Sequence, residues 1–179
     1  MDRESFFPGM QLFEKMISGM YLGELVRLVI MDLNINGRIF SSKISLDRDS
    51  FETAFMSRIE RDHSRDLADT KSVLEDLLKI PSTSLNDRQL VKTICELVSI
   101  RASRLSAAAI GAVIQKIHRL EGCNVAIDGS LFEHYPHFQN RMKDALRELF
   151  SISSDNIRLS LARDGSGIGA ALIAMLAKQ

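Results

Sequence analysis

The residues best suited to chemistry in this sequence form two glycine turns, Asp128-Gly129-Ser130 and Asp164-Gly165-Ser166-Gly167. Each follows a run with strand character. Val125, Ala126 and Ile127 make a short apolar run, and residues 157–161 alternate as a strand should. Such turns expose backbone N–H groups, and phosphates bind where these converge at a helix N-terminus. The second turn also fits a loose dinucleotide fingerprint through Gly165, Gly167 and Ala170. That fingerprint further requires an acidic residue about 20 positions on, and the sequence stops at Gln179, so the dinucleotide reading fails. The alternative account of both turns is a tight bend that needs positive φ. The P-loop pattern is absent.

A second candidate is the Glu14-Lys15 pair at the start of a very apolar helix; its alternative reading is an acid favoured by the helix dipole. The four histidines, His63, His118, His134 and His137, form no arrangement with Ser or Cys that would support a nucleophile. Cys95 sits among apolar neighbours on a helix and reads as a buried structural thiol. No C-x-x-C and no Cys/His cluster exists, so a structural zinc site is not expected.

These residues need elements to hold them. Apolar positions at spacings of three and four predict one long helix over residues 11–33, with Ser18, Gly19 and Gly23 near its start. Glycine inside a helix costs up to about 1 kcal/mol relative to alanine, so close backbone approach is expected there. Asn36-Gly37 ends the helix. Asp49-x-x-Glu52 reads as a capping signal for a short helix through Phe55 and Ile59. A further helix is predicted from about Leu67 to Leu78, stopping before Pro81. The alternating charges of residues 58–65 read as a solvated face. Ser84-x-x-Asp87 then opens the longest helix, residues 88–119, whose small-residue middle, 106–111, allows close packing. After the first strand, Pro136 starts a helix through Phe150. The second glycine turn opens a final helix over residues 170–177.

The chain has 179 residues, within the roughly 100–200 of one domain. Its 23 basic and 23 acidic side chains cancel, which argues against a nucleic-acid partner. A hydrophobic content of 45% with 26% charged residues is that of a globular domain rather than a disordered one. Two cysteines make no disulfide framework, the first residues lack a signal peptide's apolar core, and the uncharged stretch 165–177 is too short to span a membrane. The expected setting is soluble, reducing and intracellular. Two strands alone make a marginal sheet. Further strands from outside this sequence are therefore favoured over a helical domain with a small sheet edge.

The motifs also carry a resemblance. Gln11-Leu12-Phe13-Glu14-Lys15-Met16-Ile17-Ser18-Gly19-Met20-Tyr21-Leu22-Gly23-Glu24-Leu25-Val26-Arg27-Leu28 resembles a signature of eukaryotic hexokinases and glucokinases. Phe51-Glu52-Thr53-Ala54-Phe55-Met56-Ser57 and Cys95-Glu96-Leu97-Val98-Ser99-Ile100-Arg101-Ala102 are similar to two later blocks. Val125-Ala126-Ile127-Asp128-Gly129-Ser130-Leu131-Phe132, followed by His134-Tyr135-Pro136, resembles the family's adenosine motif. Asp164 to Leu172 resembles its C-terminal glycine turn. The blocks come in the family's order across nearly the whole chain.

The resemblance implies an α/β fold, part of an actin-like, ribonuclease H-like ATPase lobe, helix-rich with a small sheet portion. Residues 1–179 correspond to the C-terminal part of the family's large lobe. The small lobe, the N-terminal phosphate turn and the segment with the catalytic aspartate lie outside the match, so no catalytic residue is assigned and the isolated chain is expected to be inactive. Gln11 and Glu14 correspond to hexose-binding residues. A carboxylate accepts from two sugar hydroxyls, and an amide both donates and accepts. Nucleotide contacts fall on Gly19 and Met20, on Thr53, Ala54, Phe55, Met56 and Ser57, and on Asp128, Gly129, Ser130, Leu131, Phe132, Glu133 and His134. Met20 and Ile168 stand where many members carry other residues, often basic ones, which weakens a phosphate role there. The implied reaction is transfer of the γ-phosphoryl of ATP, with Mg2+, to the 6-hydroxyl of a hexose, most simply glucose, in glycolysis. No metal site in this chain is implied. The implied location is the cytosol, with attachment of a full-length form to the mitochondrial surface left open. A catalytically inactive hexokinase-like binding or regulatory polypeptide is the alternative, and a helical interaction domain is a third reading.

Overall fold

The apolar stripe that begins at Leu12 does not make a single helix. In the computed structural model, which describes residues 1–5 and 7–177, α1 (Leu12–Ile17) and α2 (Gly19–Ile35) are separated by Ser18 in extended geometry, φ −74 and ψ 137. The Ser18 hydroxyl accepts from the Met20 amide at 3.3 Å. A serine followed by glycine offers the chain an N-cap in place of a continuing turn, and here the cap wins. The chain forms two compact units, Met1–Ser106 and Ala107–Gln179.

In the first unit, α2 buries Leu22, Val26 and Ile30 together with the charged pair Glu24 and Arg27. Arg27 grips Glu24 in a bidentate pair at 2.7 and 2.6 Å and donates to the Leu46 carbonyl at 2.9 Å. Burial pushes the Glu24 carboxyl up, but the bonds from Arg27 and the Asp49 amide outweigh it and hold it below its ordinary value. Asp49 therefore does not start the next helix. It lies at φ 59, tied to Glu24 at 3.0 Å, and the capping signal expected of it is corrected. Glu52 precedes α3 (Thr53–Glu60) without a side-chain cap.

The helix expected over 67–78 is a one-turn α4 (Ala68–Lys71) continued by a π-helical segment, Ser72–Leu77, where the Leu78 amide reaches the Val73 carbonyl at 3.0 Å. The link before it is held by Asp62, 3% exposed. Asp62 accepts from the Ser64 amide and hydroxyl at 3.1 and 2.6 Å, and from the Thr70 amide and hydroxyl at 2.8 and 2.9 Å. Burial alone would raise its carboxyl; these four bonds outweigh it and lower it from 3.8 to about 2. The folded value lies below the unfolded one. The stabilisation, about 2 kcal/mol, is thus complete above pH ~3.8 and is lost as the pH falls toward ~2. Urea unfolding of Asp62→Asn should show this deficit near neutral pH and a much smaller one near pH 2. An equal deficit at both would show that ionisation of Asp62 is irrelevant.

Ser84 and Asp87 form the expected reciprocal cap. The Ser84 amide and hydroxyl donate to the Asp87 carboxylate at 2.9 and 2.7 Å, and the Asp87 amide donates to the Ser84 hydroxyl at 3.1 Å. They open α5 (Leu85–Lys116), which contributes to both units. By length and composition α5 could cross a membrane. Along it Val91, Ile94, Cys95, Ala102, Ala107 and Ile114 are buried, whereas Leu97 and Val113 are exposed. Burial, with Glu60 and Glu96 nearby, pushes the Cys95 thiol well above its ordinary value, in keeping with a structural cysteine.

In the second unit, β1 (Cys123–Ile127) and β2 (Ile157–Leu161) pair in parallel, Cys123 opposite Ile157 and Ile127 opposite Leu161. Between them come α6 (Ser130–His134), α7 (Phe138–Phe150) and a 3₁₀ segment, Ser151–Asn156. Phe132, Tyr135, Phe138, Met142 and Leu146 form the core, with Tyr135 and Phe138 edge-to-face at 6.2 Å. Pro136 lies ahead of α7, not in its first turn; His137 at φ 60 is the residue from which the helix starts. α8 (Gly165–Leu176) follows β2 and buries none of its side chains.

Candidate functional site

The first cluster is built on the two short stretches around Ser18. Gln11 stands immediately before α1 in the left-handed region, φ 52, an uncommon geometry for a non-glycine residue. Its side chain and that of Glu14, in the first turn, are exposed, and neither has a hydrogen-bond partner among the described residues. Both hexose candidates are therefore presented to solvent from one six-residue helix.

Gly19, Met20 and Thr53 are brought together although 34 residues separate the first from the last. The Thr53 hydroxyl donates to the Gly19 carbonyl and accepts from the Gly23 amide at 3.0 Å. Those two backbone groups are the pair an α-helix would join to each other, so the start of α3 is inserted into the first turn of α2. Gly23 makes the insertion feasible. A Cβ there would overlap the Phe51 carbonyl oxygen and crowd the Glu52 and Thr53 backbone. The close approach expected at the helical glycines is thus located at Gly23. Met20 is 67% exposed. Ala54 is exposed, Phe55 and Ser57 are half-buried, and Met56 is fully buried, so any ligand contact at Met56 falls to main-chain atoms.

The second cluster lies at the carboxyl ends of β1 and β2, the edge at which open parallel sheets bind ligands. There the two glycine turns meet. The Ala162 amide donates to the Ile127 carbonyl at 2.9 Å, and the Gly165 amide donates to the Asp128 carboxylate at 3.1 Å. Sequence reasoning treated these turns separately. Two Asp-Gly turns after two strands were the available signal, and parallel pairing is what joins them. Glu133 links outward to Arg163 at 3.2 Å and to His134 at 3.6 Å. Ser130, Glu133 and His134 are exposed and Leu131 is half-buried. The Phe132 ring is in the core, its carbonyl accepting from Gln139 at 2.7 Å. Gly129 is extended, φ 169, and a Cβ on it would meet nothing within 4 Å. The bend requiring positive φ is thus corrected: neither strain nor crowding in this chain demands a glycine here. In the second turn it is Asp164, φ 51, that takes the left-handed conformation, and Ile168 is exposed.

Residues 1–176 match the protein-family model described as Hexokinase. The chain is 42% identical over 186 residues to hexokinase-7 of Oryza sativa subsp. japonica, covering 97% of this chain and 40% of that protein. It is 34% identical to the glucokinase of Aspergillus niger over 198 residues, covering all of this chain and 40% of that protein. The solved structure of the hexokinase from Schistosoma mansoni complexed with glucose superposes with a TM-score of 0.86 at 39% identity, over 97% of this chain and 39% of that one. The chain thus spans about 40% of the length of the relatives it matches, and its helix-rich fold with a small parallel sheet is the fold of the corresponding hexokinase lobe. With the motifs, the fold and a match over residues 1–176 in agreement, the chain belongs to the hexokinase family.

Proposed function

We propose that this chain is the segment of an ATP:hexose 6-phosphotransferase that carries part of the hexose site and most of the adenine-nucleotide site. The observation that carries this reading is the pair Gln11 and Glu14, exposed and unpartnered at the start of α1. Glu14 accepts hydrogen bonds from two sugar hydroxyls, and Gln11 donates and accepts. A site built from such groups discriminates against sugars that lack the hydroxyls. Glucose is the hexose proposed, in line with the ligand of the Schistosoma mansoni structure. The proposed setting is glycolysis in the cytosol.

The nucleotide contacts proposed are Gly19, Met20 and residues 53–57 and, taken by themselves, residues 128–134. In keeping with the family, magnesium is proposed to enter with the nucleotide phosphates. The family's general base has no counterpart among these residues. Base catalysis alone typically contributes 10²–10⁴-fold, so a polypeptide of residues 1–179 by itself is proposed to have no turnover above background. A second reading, a hexokinase-like binding or regulatory polypeptide, draws support from exposed Met20 and Ile168, which supply no charge to a phosphate.

The test is Glu14→Ala in the full-length enzyme carrying this segment, with hexose and nucleotide binding measured by calorimetry. Hexose affinity should fall roughly ten- to a hundredfold, the loss of a charge-assisted hydrogen bond, while ATP affinity stays unchanged. Unchanged hexose binding would make Glu14 a structural helix-start acid and the assignment wrong.

A further inference from the structure

Lys15 is among the largest fully buried side chains of the first unit, 2% exposed, and nothing in the proposed site uses it. Lysine is almost never buried to this degree without a partner. Its Nζ donates to the Asp2 carboxylate and to the Phe7 carbonyl, both at 2.6 Å. The same carboxylate accepts from the Gly9 amide at 3.1 and 3.2 Å, and the Asp2 carbonyl accepts from the Ser5 amide and hydroxyl at 3.0 and 2.7 Å. The Phe7 carbonyl also accepts from the Met10 amide at 3.2 Å. One ammonium therefore ties Asp2 and Phe7 to α1, and Gly9 is tied in turn through the Asp2 carboxylate. The chain runs on from Gly9, φ 78, into Gln11, φ 52.

The consequence is geometric. Gln11 and Glu14 have no internal bonds of their own to set their positions, and α1 is too short to be stable without tertiary support. The Lys15 clamp fixes both the path of the chain into Gln11 and the rotation of α1 that turns Glu14 outward. We propose that Lys15, through Asp2, is a positioning residue for hexose binding; this rests on the assignment of Gln11 and Glu14 above. Displacing a binding group by about 1 Å can cost on the order of 10²-fold, so the clamp matters for affinity and not only for folding.

The test compares Lys15→Met, Asp2→Ala and Glu14→Ala in the full-length enzyme, with KM for glucose and for MgATP and the melting temperature measured for each. The Asp2 side chain is 39% exposed, so Asp2→Ala is expected to fold even if Lys15→Met does not. The expected result is a glucose KM raised roughly tenfold or more by Asp2→Ala and by Lys15→Met, with the MgATP KM within about twofold. Equal rises in both KM values would overturn the proposal, because a general structural role moves both. A raised glucose KM in Glu14→Ala with none in Asp2→Ala overturns the positioning role and leaves the hexose assignment standing. No change in glucose KM in Glu14→Ala overturns the assignment, and the positioning role with it.

Discussion

Gly23→Ala is expected to unfold or severely destabilise the first unit, by about 3 kcal/mol or more. In an ordinary exposed helix the same change would stabilise by up to about 1 kcal/mol, because alanine is the better helix former. Here the sign reverses. The new methyl would occupy the space of the Phe51 carbonyl oxygen and press on the Glu52 and Thr53 backbone. A flexible side chain could swing aside; a main chain flanked by the buried Phe51 ring cannot. Overpacking typically costs 1–3 kcal/mol, and a collision of backbone with Cβ lies at or beyond the top of that range. Separating α3 from α2 would also break the Thr53 bonds to Gly19 and Gly23. Chemical denaturation of Gly23→Ala beside Thr53→Val separates the two contributions. Thr53→Val puts a methyl in the place of the hydroxyl and leaves the Gly19 carbonyl and Gly23 amide without that partner, so a loss of about 1–3 kcal/mol without a backbone clash is expected. A Gly23→Ala variant as stable as its parent would mean that α3 does not enter the first turn of α2.

The second expected result is a separation of stability from binding at Gly129. Gly129→Val should leave the melting temperature nearly unchanged and weaken nucleotide binding roughly ten- to a hundredfold in the full-length enzyme. The backbone at Gly129 is extended and the space around it is open, so valine meets neither torsional strain nor a clash within this chain. Two small terms oppose each other. Valine is a poorer residue than glycine ahead of a helix, at a cost of about 1 kcal/mol. It also reduces the freedom of the unfolded chain, which returns about 0.4–1 kcal/mol. A glycine that its own fold does not require is explained if the open space belongs to a ligand, and the family resemblance proposes a nucleotide at this turn. Thermal shifts measured with saturating glucose and then with saturating nucleotide give the readout, because a ligand stabilises according to its concentration relative to its dissociation constant. The glucose shift should persist and the nucleotide shift should vanish. Persistence of both would show that the turn does not face the nucleotide.

These two glycines also mark where sequence reasoning stops. Both were conspicuous as letters, but a Cβ at Gly23 would meet the Phe51 carbonyl and one at Gly129 would meet nothing within 4 Å, and only the tertiary structure distinguishes them. What the sequence determined by itself was local. The Ser84–Asp87 cap, the burial of Cys95 and the strands at 125–127 and 157–161 follow from periodicity and from bonds spanning a few residues, whereas the parallel pairing of the two strands does not. The family motifs placed Gln11, Glu14 and the glycine turns in order along the chain. Tertiary structure decided the rest. It divided the long first helix at Ser18, turned Asp49 from an expected cap into a partner for Glu24, and loosened the helix before Pro81 into a π-helical segment. It also placed Thr53 against Gly19 and joined Asp128 to Gly165, 34 and 37 residues apart. The physical reason is the same in each case. Helical and strand periods report how a residue meets its near neighbours. A hydroxyl inserted into another helix, or a carboxylate capping the turn after another strand, is selected by which distant backbone groups would otherwise be left unpaired, and that depends on how the elements pack.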